Sequence, residues 1–482
     1  MQRALLILLF AVSYLLFAGG ATWTLGPIAG IAALAALVSP TATFAFPRRT
    51  RALDLALITV LGAVAVQLAP LPASVVTALS PHADEITAAI QLVPPGTAPP
   101  SWATLSVNRQ ATLYALATVA LGVVSFWIAR AVFSAGGGTR LFCKALAFLG
   151  TLAATLAVIQ KAVAPRMVLF VMMPEARSAS PFGAFVNRNH FAAWLLLVAA
   201  PVAGYCIARL HIHPTRRGRW RESIGQIMSS GVIFTAIAVA IMLGILLLTL
   251  SRSAVAGLGC AAAAGWWLGR TRLRVERTSV PAMLGWAGAI IIGVVLFVDL
   301  DGWATRLEQS FDTTSAPFSR FTIWRESLPI IRDFWLTGTG AGTYSNAMTV
   351  YQQTRVWVGA MHNWAHFNNA HSFYVQVASE GGLLLSLPAL WAAVAIATLG
   401  LRAVRADKGE MFWVRVGAAA GLVGLAVQSL WEVALVMPAN AVLAGMLLGL
   451  LLYHRDGTSR PDPLMPAPAD VAPPVMPVRM AR

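Results

Sequence analysis

Long apolar segments alternate with short polar connections along most of the chain. Apolar runs of about 20 residues, the length of helix that crosses a bilayer, recur about twelve times. They cover residues 4–20, 24–45, 52–71, 110–133, 141–163, 189–209, 228–250, 253–269, 281–299, 383–401, 412–434 and 438–453. The pattern therefore predicts an all-α polytopic membrane protein.

The basic residues lie in alternate connections between these segments. The even-numbered connections carry the clusters, such as Arg48-Arg49-Arg51 in the second and Arg402, Arg405 and Lys408 in the tenth. The odd-numbered connections are more mixed in charge, and three of them are long: 72–109, 164–188 and 300–382. Because Lys and Arg concentrate on the cytoplasmic side of a membrane, this alternation predicts cytoplasmic termini and outward-facing odd connections.

The composition agrees with a membrane protein. Of the 482 residues, 58% are hydrophobic and 11% charged, with a mean hydropathy of +0.71. A net charge of +16 would suggest nucleic acid in a soluble protein. Here the basic residues follow the membrane pattern, so no nucleic-acid partner is expected. The three cysteines, Cys143, Cys206 and Cys260, have no spacing typical of a disulfide framework or a thiolate metal site.

Hydropathy divides the chain into four regions. We expect a nine-helix membrane region over 1–299, an outer cap loop over 300–382, three further membrane helices over 383–455, and a disordered cytoplasmic tail over 456–482. Within the cap loop, apolar residues recur at spacings of three and four, which predicts an amphipathic helix on the membrane surface or under the cap. These are Phe321, Trp324, Leu328, Ile331 and Trp335.

His371 is the leading candidate for a catalytic group. Asn368 and Asn369 precede it and suit a helix N-cap, and Gly381-Gly382 predicts a helix stop about three turns later, where a neighbouring helix could approach closely. A histidine here has the pKa range to accept a proton from a hydroxyl. The alternative is an ordinary surface histidine before a helix.

Several arginines and one acid are candidates for binding an anion on the same side. Arg252 interrupts an apolar run and is costly there unless it faces protein, water or an anion, although a snorkelling arginine is the alternative. Arg320 and Arg325 lie in the predicted amphipathic helix, where Glu326 and Asp333 could also pair with them. Further candidates are Arg188 and His190 before the sixth segment and Glu432 near the end of the eleventh.

Two other patterns suggest ligands less strongly. Residues 337–343, which include Gly340 and Gly342, could form either a flexible turn or a backbone nest for a lipid diphosphate, but they lack a Walker lysine. His362, His366 and His371 invite a zinc interpretation, yet no HExxH glutamate or nearby cysteine accompanies them. We therefore predict no metal and no cofactor.

Taken in order, the motifs resemble those of the O-antigen ligase and polymerase superfamily of bacterial membrane glycosyltransferases. The matching stretches are Thr249-Leu250-Ser251-Arg252-Ser253, Arg320 to Trp324, Gly338 to Tyr344, Ala370 to Gln376, Gly381-Gly382, Pro181 to Phe191, and Trp431-Glu432 with Pro438-Ala439-Asn440. The resemblance covers roughly residues 180–450.

The resemblance implies a GT-C-like enzyme of the bacterial inner membrane with its active site on the periplasmic side. Such an enzyme transfers a glycan from an undecaprenyl diphosphate carrier to a hydroxyl of a glycan or lipid acceptor, without metal or nucleotide, as a ligase or a polymerase. By the resemblance His371 is the base, and Arg252 and Arg320 bind the diphosphate. Displacement at an anomeric carbon needs such groups, and we expect inversion.

Two alternatives remain at this point. A transporter or flippase of lipid-linked glycans also has about twelve helices, but it is expected to carry midplane ionisable residues and internal repeats. A zinc hydrolase depends on the histidine spacing alone.

Overall fold

The computed structural model describes residues 1–39, 46–91, 101–136, 138–174, 179–212, 231–275, 320–355, 357–358 and 363–454. The predicted ninth membrane segment and the predicted disordered tail lie outside the described residues. So does the first part of the predicted cap loop, 300–319.

The described chain is mostly helical, and every predicted membrane segment within it overlaps a helix. The helices are α1 Gln2–Leu15, α2 Leu25–Leu37, α3 Arg51–Gln67, α4 Ala73–Leu79, α5 Ala83–Gln91, α6 Arg109–Ser134, α7 Thr139–Val163, α8 Arg188–Ile212, α9 Val232–Leu248, α10 Arg252–Val275, α11 Arg320–Asp333, α12 Tyr344–Tyr351, α13 Phe373–Ala406, α14 Phe412–Gln428 and α15 Pro438–Leu452. Two antiparallel pairs of short strands join them: β1 Leu71–Pro72 with β2 Trp102–Ala103, and β3 Trp357–Val358 with β4 Asn363–Trp364.

Within the described residues, four helices are long and apolar enough to cross a membrane: α6, α7, α8 and α13. The shorter apolar helices are α1, α2 with the turn before it, α9, α14 and α15. A membrane protein is thus supported, while the count of about twelve spans stays a prediction. The eleventh segment also ends earlier than predicted, since α14 stops at Gln428 and leaves Glu432 in the connection to α15.

The bundle has two chemically different ends, which we call the cap end and the basic end. At the basic end, Arg3 donates to Gly136 O at 2.7 Å, and Arg49 Nη1 lies 3.0 Å from His454 Nδ1. At the cap end, α3, α7 and α14 finish and α6, α8, α10 and α13 begin. Gln428 at the end of α14, for example, donates to Asn189 O at the start of α8. The described helices therefore run between these two ends, whereas the topology predicted from charge, including its orientation across a membrane, stays a prediction.

Helix α8 lies at the centre of the bundle. Trp194 and Tyr205 are 1% and 0% exposed, and Trp194 packs against aromatic rings of α1. Glycines allow close helix contacts around this centre. A Cβ on Gly257 in α10 would lie 2.7 Å from Gly424 O in α14, which is closer than real Cβ contacts allow. Small residues at such crossings let helix backbones approach, as in other membrane bundles.

The cap has its own small apolar core, built from two distant stretches of chain. Ala83, Ile86 and Val107 from the 72–109 connection pack with Ile323, Ile330, Phe334, Tyr344, Ala347, Met348, Phe367 and Ala370. The sequence prediction assigned the cap to 300–382 alone. The prediction missed the 72–109 contribution because Ala83 and Ile86 lie in a short helix and Val107 in a connection, and these segments are too short to show a sustained periodic pattern of apolar residues.

The predicted amphipathic helix is present as α11, with Arg320 as its first residue, but the predicted apolar stripe faces outward. Phe321, Leu328 and Trp335 are 65%, 60% and 57% exposed. The buried face instead carries Ile323 and Ile330. The helix is therefore apolar on two sides, which a single periodic stripe did not reveal.

Helix α13 breaks at the predicted double glycine. Gly382 has φ +53° and ψ −154°, so the helix splits there, and Leu383 and Leu384 donate to Trp335 O and Leu336 O. The neighbour that approaches is therefore the 335–338 loop and not a helix as predicted. A Cβ on Gly382 would lie 2.6 Å from Gly338 N and 2.7 Å from Leu336 C.

We expect Gly382→Ala to lower the free energy of unfolding. Its positive φ and the overlap with the 336–338 backbone together cost about 1–3 kcal/mol or more. Gly62→Ala is the matched control, because Gly62 lies inside α3 with nothing within 4 Å of its added Cβ. That change should raise stability by about 0.5–1 kcal/mol. Thermal unfolding of the purified variants measures both, and equal effects would contradict the described break.

Candidate active site

The backbone around His371 is held in an unusual conformation. His371 has φ +48°, a value that costs a residue other than glycine about 1–2 kcal/mol. The residue before it is held through both of its backbone polar groups: Ala370 N donates to Gln376 Oε1 at 3.3 Å, and Trp324 Nε1 donates to Ala370 O at 2.9 Å. Strain maintained in this way suggests a functional position.

The N-cap of α13 is Ser372 and not the predicted asparagines. The Ser372 hydroxyl accepts from Val375 N at 3.5 Å, and the next residue, Phe373, donates from its backbone N to Ser429 O at 2.9 Å. Asn368 instead accepts from Ser345 Oγ at 3.1 Å within the cap. His371 therefore lies at the point where the cap, the start of α13 and the end of α14 meet.

Arg320 and Glu432 form an ion pair next to this point. Arg320 Nη2 lies 2.9 Å from Glu432 Oε1, which also accepts from Asn189 Nδ2 at 2.7 Å. The Glu432 side chain is 1% exposed and that of Arg320 is 31% exposed. Burial raises the pKa of Glu432 to about 7, against the lowering effects of Arg320, Asn189 and Arg188.

The imidazole of His371 is neutral at ordinary pH. Burial first, and the positive charge of Arg320 second, lower its pKa from 6.5 to about 4. His190, which is 6% exposed, is near enough for the two imidazoles to interact electrostatically. Within the described residues no side chain hydrogen-bonds to the His371 ring, so its nitrogens are available to a bound hydroxyl.

The structure thus brings together five residues predicted from sequence: Arg188, His190, Arg320, His371 and Glu432. Arg252 begins α10 at the same end of the bundle and is exposed, beside the end of α14. Arg325 is exposed on α11, whose buried residues are Ile323, Glu326, Ser327 and Ile330. The two remaining predicted residues, Gly340 and Gly342, lie in the loop between α11 and α12.

That glycine loop encloses a carboxylate that the sequence analysis missed. Glu380 accepts from Gly342 N at 2.8 Å, Tyr344 N at 3.0 Å and Gln376 Nε2 at 3.1 Å. Gly340 N donates to the backbone oxygen of Glu380 at 2.9 Å. These amides are therefore occupied by groups of the chain itself, which does not favour the predicted diphosphate nest.

Gln376 extends the Glu380 contacts toward His371. Its Nε2 donates to Glu380 and its Oε1 accepts from Ala370 N, so a continuous set of hydrogen bonds runs from the glycine loop to the backbone N of Ala370, the residue before His371. The only sequence signal was the helical spacing of Gln376 and Glu380, four residues apart on one face of an otherwise apolar stretch.

The histidine spacing does not produce a metal site within the described residues. No group of three metal-ligating side chains is found there, and His362 lies outside them. His366 lies 3.1 Å from Ser345 Oγ on the exposed surface of the cap.

We expect Glu380→Leu to destabilise the protein by about 2–5 kcal/mol, because it leaves the buried Tyr344 amide and the Gly342 amide without their acceptor. Glu380→Gln should cost less, since its amide oxygen can still accept one of the two. Glu85→Gln, at a side chain 63% exposed, is the control and should change stability by less than about 0.5 kcal/mol. Thermal unfolding distinguishes the three, and a Leu variant as stable as the control would contradict this role.

Comparison with known proteins agrees with the motifs. Residues 237–390 match the family model described as O-antigen ligase. No curated protein matches the chain. The matched residues include Arg252, Arg320, His371, the glycine loop and Glu380, while Arg188, His190 and Glu432 lie outside them. The match confirms, over residues 237–390, the resemblance to the O-antigen ligase/polymerase superfamily that the motifs indicate.

Proposed function

We propose that the protein transfers a glycan from undecaprenyl diphosphate to an acceptor hydroxyl at the periplasmic face of the bacterial inner membrane. The observation that carries the proposal is the meeting of a partly buried imidazole, His371, with a partly exposed guanidinium, Arg320, at the cap end. A base and a fixed cation are the two groups that displacement of a diphosphate from an anomeric carbon requires.

In the proposed reaction a ring nitrogen of His371 accepts the proton of the acceptor hydroxyl. The acceptor oxygen bonds to the anomeric carbon as the bond from that carbon to the diphosphate oxygen breaks, and undecaprenyl diphosphate leaves. Because diphosphate is stable as an anion, no separate acid is needed. A single displacement inverts the anomeric configuration.

Arg320 would stabilise the charge that accumulates on the leaving diphosphate. Its guanidinium can bind two phosphate oxygens at once and stays charged at every relevant pH. In the free protein Glu432 is its partner. A bound diphosphate would replace this carboxylate as the partner of Arg320.

Arg252 is proposed as the second diphosphate-binding group. It begins α10 at the cap end and is exposed there, so a carrier lipid entering between helices could reach it. The exposed aromatic and aliphatic stripe of α11, with Phe321 and Leu328, would face the bilayer or the lipid chain.

The variants His371→Gly and Arg320→Ala should separate chemistry from donor binding. Glycine tolerates φ +48°, so His371→Gly should fold and bind donor normally while transfer falls by about 10²–10⁴-fold. Arg320→Ala should weaken donor binding by about 10-fold or more, since it removes a charged contact. Arg332→Ala is the control, at a side chain on the same helix that is 78% exposed.

The assay supplies purified protein in lipid nanodiscs with a polyprenyl-diphosphate oligosaccharide and acceptor glycans. Covalent transfer is followed by mass, and donor binding is measured separately. Undiminished transfer by His371→Gly would eliminate the proposed base. Movement of intact donor across proteoliposomes without transfer would favour the flippase alternative.

The pH dependence of transfer should reflect the lowered pKa of His371. The imidazole accepts a proton only when neutral, so the rate should persist well below pH 6.5 and fall as the pH drops through about 4. Single-turnover transfer rates between pH 3.5 and 8 measure this decrease in rate at low pH. A midpoint near 6.5 would mean that the imidazole is not buried beside Arg320 as described.

A further inference from the structure

Buried polar atoms without hydrogen-bond partners gather around His371 and Arg320. Most buried polar groups in proteins are paired, so each exception needs an explanation. In the described part of the chain five of these unpartnered buried atoms belong to residues of this region: His190 Nε2, Gln428 Oε1, Ser429 Oγ, Glu432 Oε2 and Asn440 Oδ1. We call this set the hydroxyl pocket.

Direct contacts tie these residues to one another. Asn189 bridges two of them, since its Nδ2 donates to Glu432 Oε1 at 2.7 Å and its O accepts from Gln428 Nε2 at 3.0 Å. The backbone oxygen of His190 accepts from Asn440 Nδ2 at 3.2 Å. Ser429 is joined to the start of α13 by the hydrogen bond from Phe373 N.

The same contacts decide which atoms are left over. Asn440 Nδ2 donates to both His190 O and Ala434 O, and Gln428 Nε2 donates to Asn189 O. Because the amide nitrogens face carbonyl oxygens, the unpaired atom of each amide is its oxygen. The unpaired atoms are therefore mainly hydrogen-bond acceptors.

An acceptor-rich pocket requires a ligand that donates hydrogen bonds. Phosphate oxygens only accept, and the carboxylate of Glu432 would repel them, so the diphosphate does not fit here. A second cation is disfavoured by Arg320, which lies 2.9 Å from Glu432 Oε1. Sugar hydroxyls are neutral donors and match these atoms.

We propose that the hydroxyl pocket binds hydroxyl groups of a sugar residue next to the reacting carbon. The proposal rests on the proposed function for the identity of that sugar, which belongs either to the donor glycan or to the acceptor. Transfer of Arg320 from Glu432 to the diphosphate would free this carboxylate for the sugar, so donor binding would prepare the pocket.

Ser429→Ala is the most direct test. The Ser429 hydroxyl has no partner within the described residues and the side chain is small, so its removal should leave the fold intact. Ser125→Ala is the matched control: its hydroxyl is also buried and unpartnered, but it lies in α6 about 24 Å along the helix from the cap end.

Two measurements on the full-length protein distinguish the source of the sugar. In the donor arm, affinity is measured for undecaprenyl-diphosphate oligosaccharide and for undecaprenyl diphosphate without a sugar. A donor-sugar pocket requires that Ser429→Ala weaken only the first, by about 3- to 10-fold. In the acceptor arm, the KM of the acceptor glycan is measured during transfer. An acceptor-sugar pocket requires that Ser429→Ala raise this KM by the same factor and leave donor affinity unchanged.

The two proposals can fail separately. If wild-type protein transfers no glycan but the donor arm still shows the sugar-specific loss, the proposed function is wrong and the pocket stands. If Ser429→Ala matches Ser125→Ala in donor affinity and, where transfer occurs, in acceptor KM, the pocket holds only water and is overturned. Loss of sugar binding on treatment with EDTA would also overturn it, in favour of a cation.

Discussion

The buried carboxylate of Glu380 joins the cap to the helical bundle, and the site depends on that junction. One side chain satisfies two loop amides and the amide of Gln376, while its backbone oxygen accepts from Gly340 N and from Gln67 of α3. A buried carboxylate is stable only when its acceptor capacity is used in this way. The glycine loop, the end of α3 and the first half of α13 are therefore fixed together.

This junction explains how a strained histidine can be maintained. Gln376 links Glu380 to the backbone N of Ala370, and Trp324 in the cap donates to the backbone O of the same residue. His371 follows with φ +48°, a conformation that an unsupported chain would leave. The break at Gly382 lets the same helix continue into the bundle while the 335–338 loop packs against it.

Charge and burial both lower the pKa of His371. Burial and the nearby guanidinium both favour a neutral imidazole at His371, and the buried Glu432 balances Arg320. A base that stays neutral beside a permanent cation can accept a proton without losing the charge that would bind an anion. Such separation of roles is common where titratable groups have different environments.

The sequence by itself determined the helical class, the approximate positions of the described apolar segments, and the motifs that match the O-antigen ligase family model over residues 237–390. These follow from the periodicity of apolar residues, the length of the apolar runs and the order of the motifs, all of which can be read along the chain. The tertiary structure decided which candidates lie together. Arg188, His190 and Glu432 lie near Arg320 and His371, whereas Gly340 and Gly342 donate hydrogen bonds to Glu380. It also decided that Ser372 caps α13 and that the 72–109 connection completes the cap core. Such contacts join residues hundreds of positions apart, and no local pattern specifies which buried polar atom faces which partner.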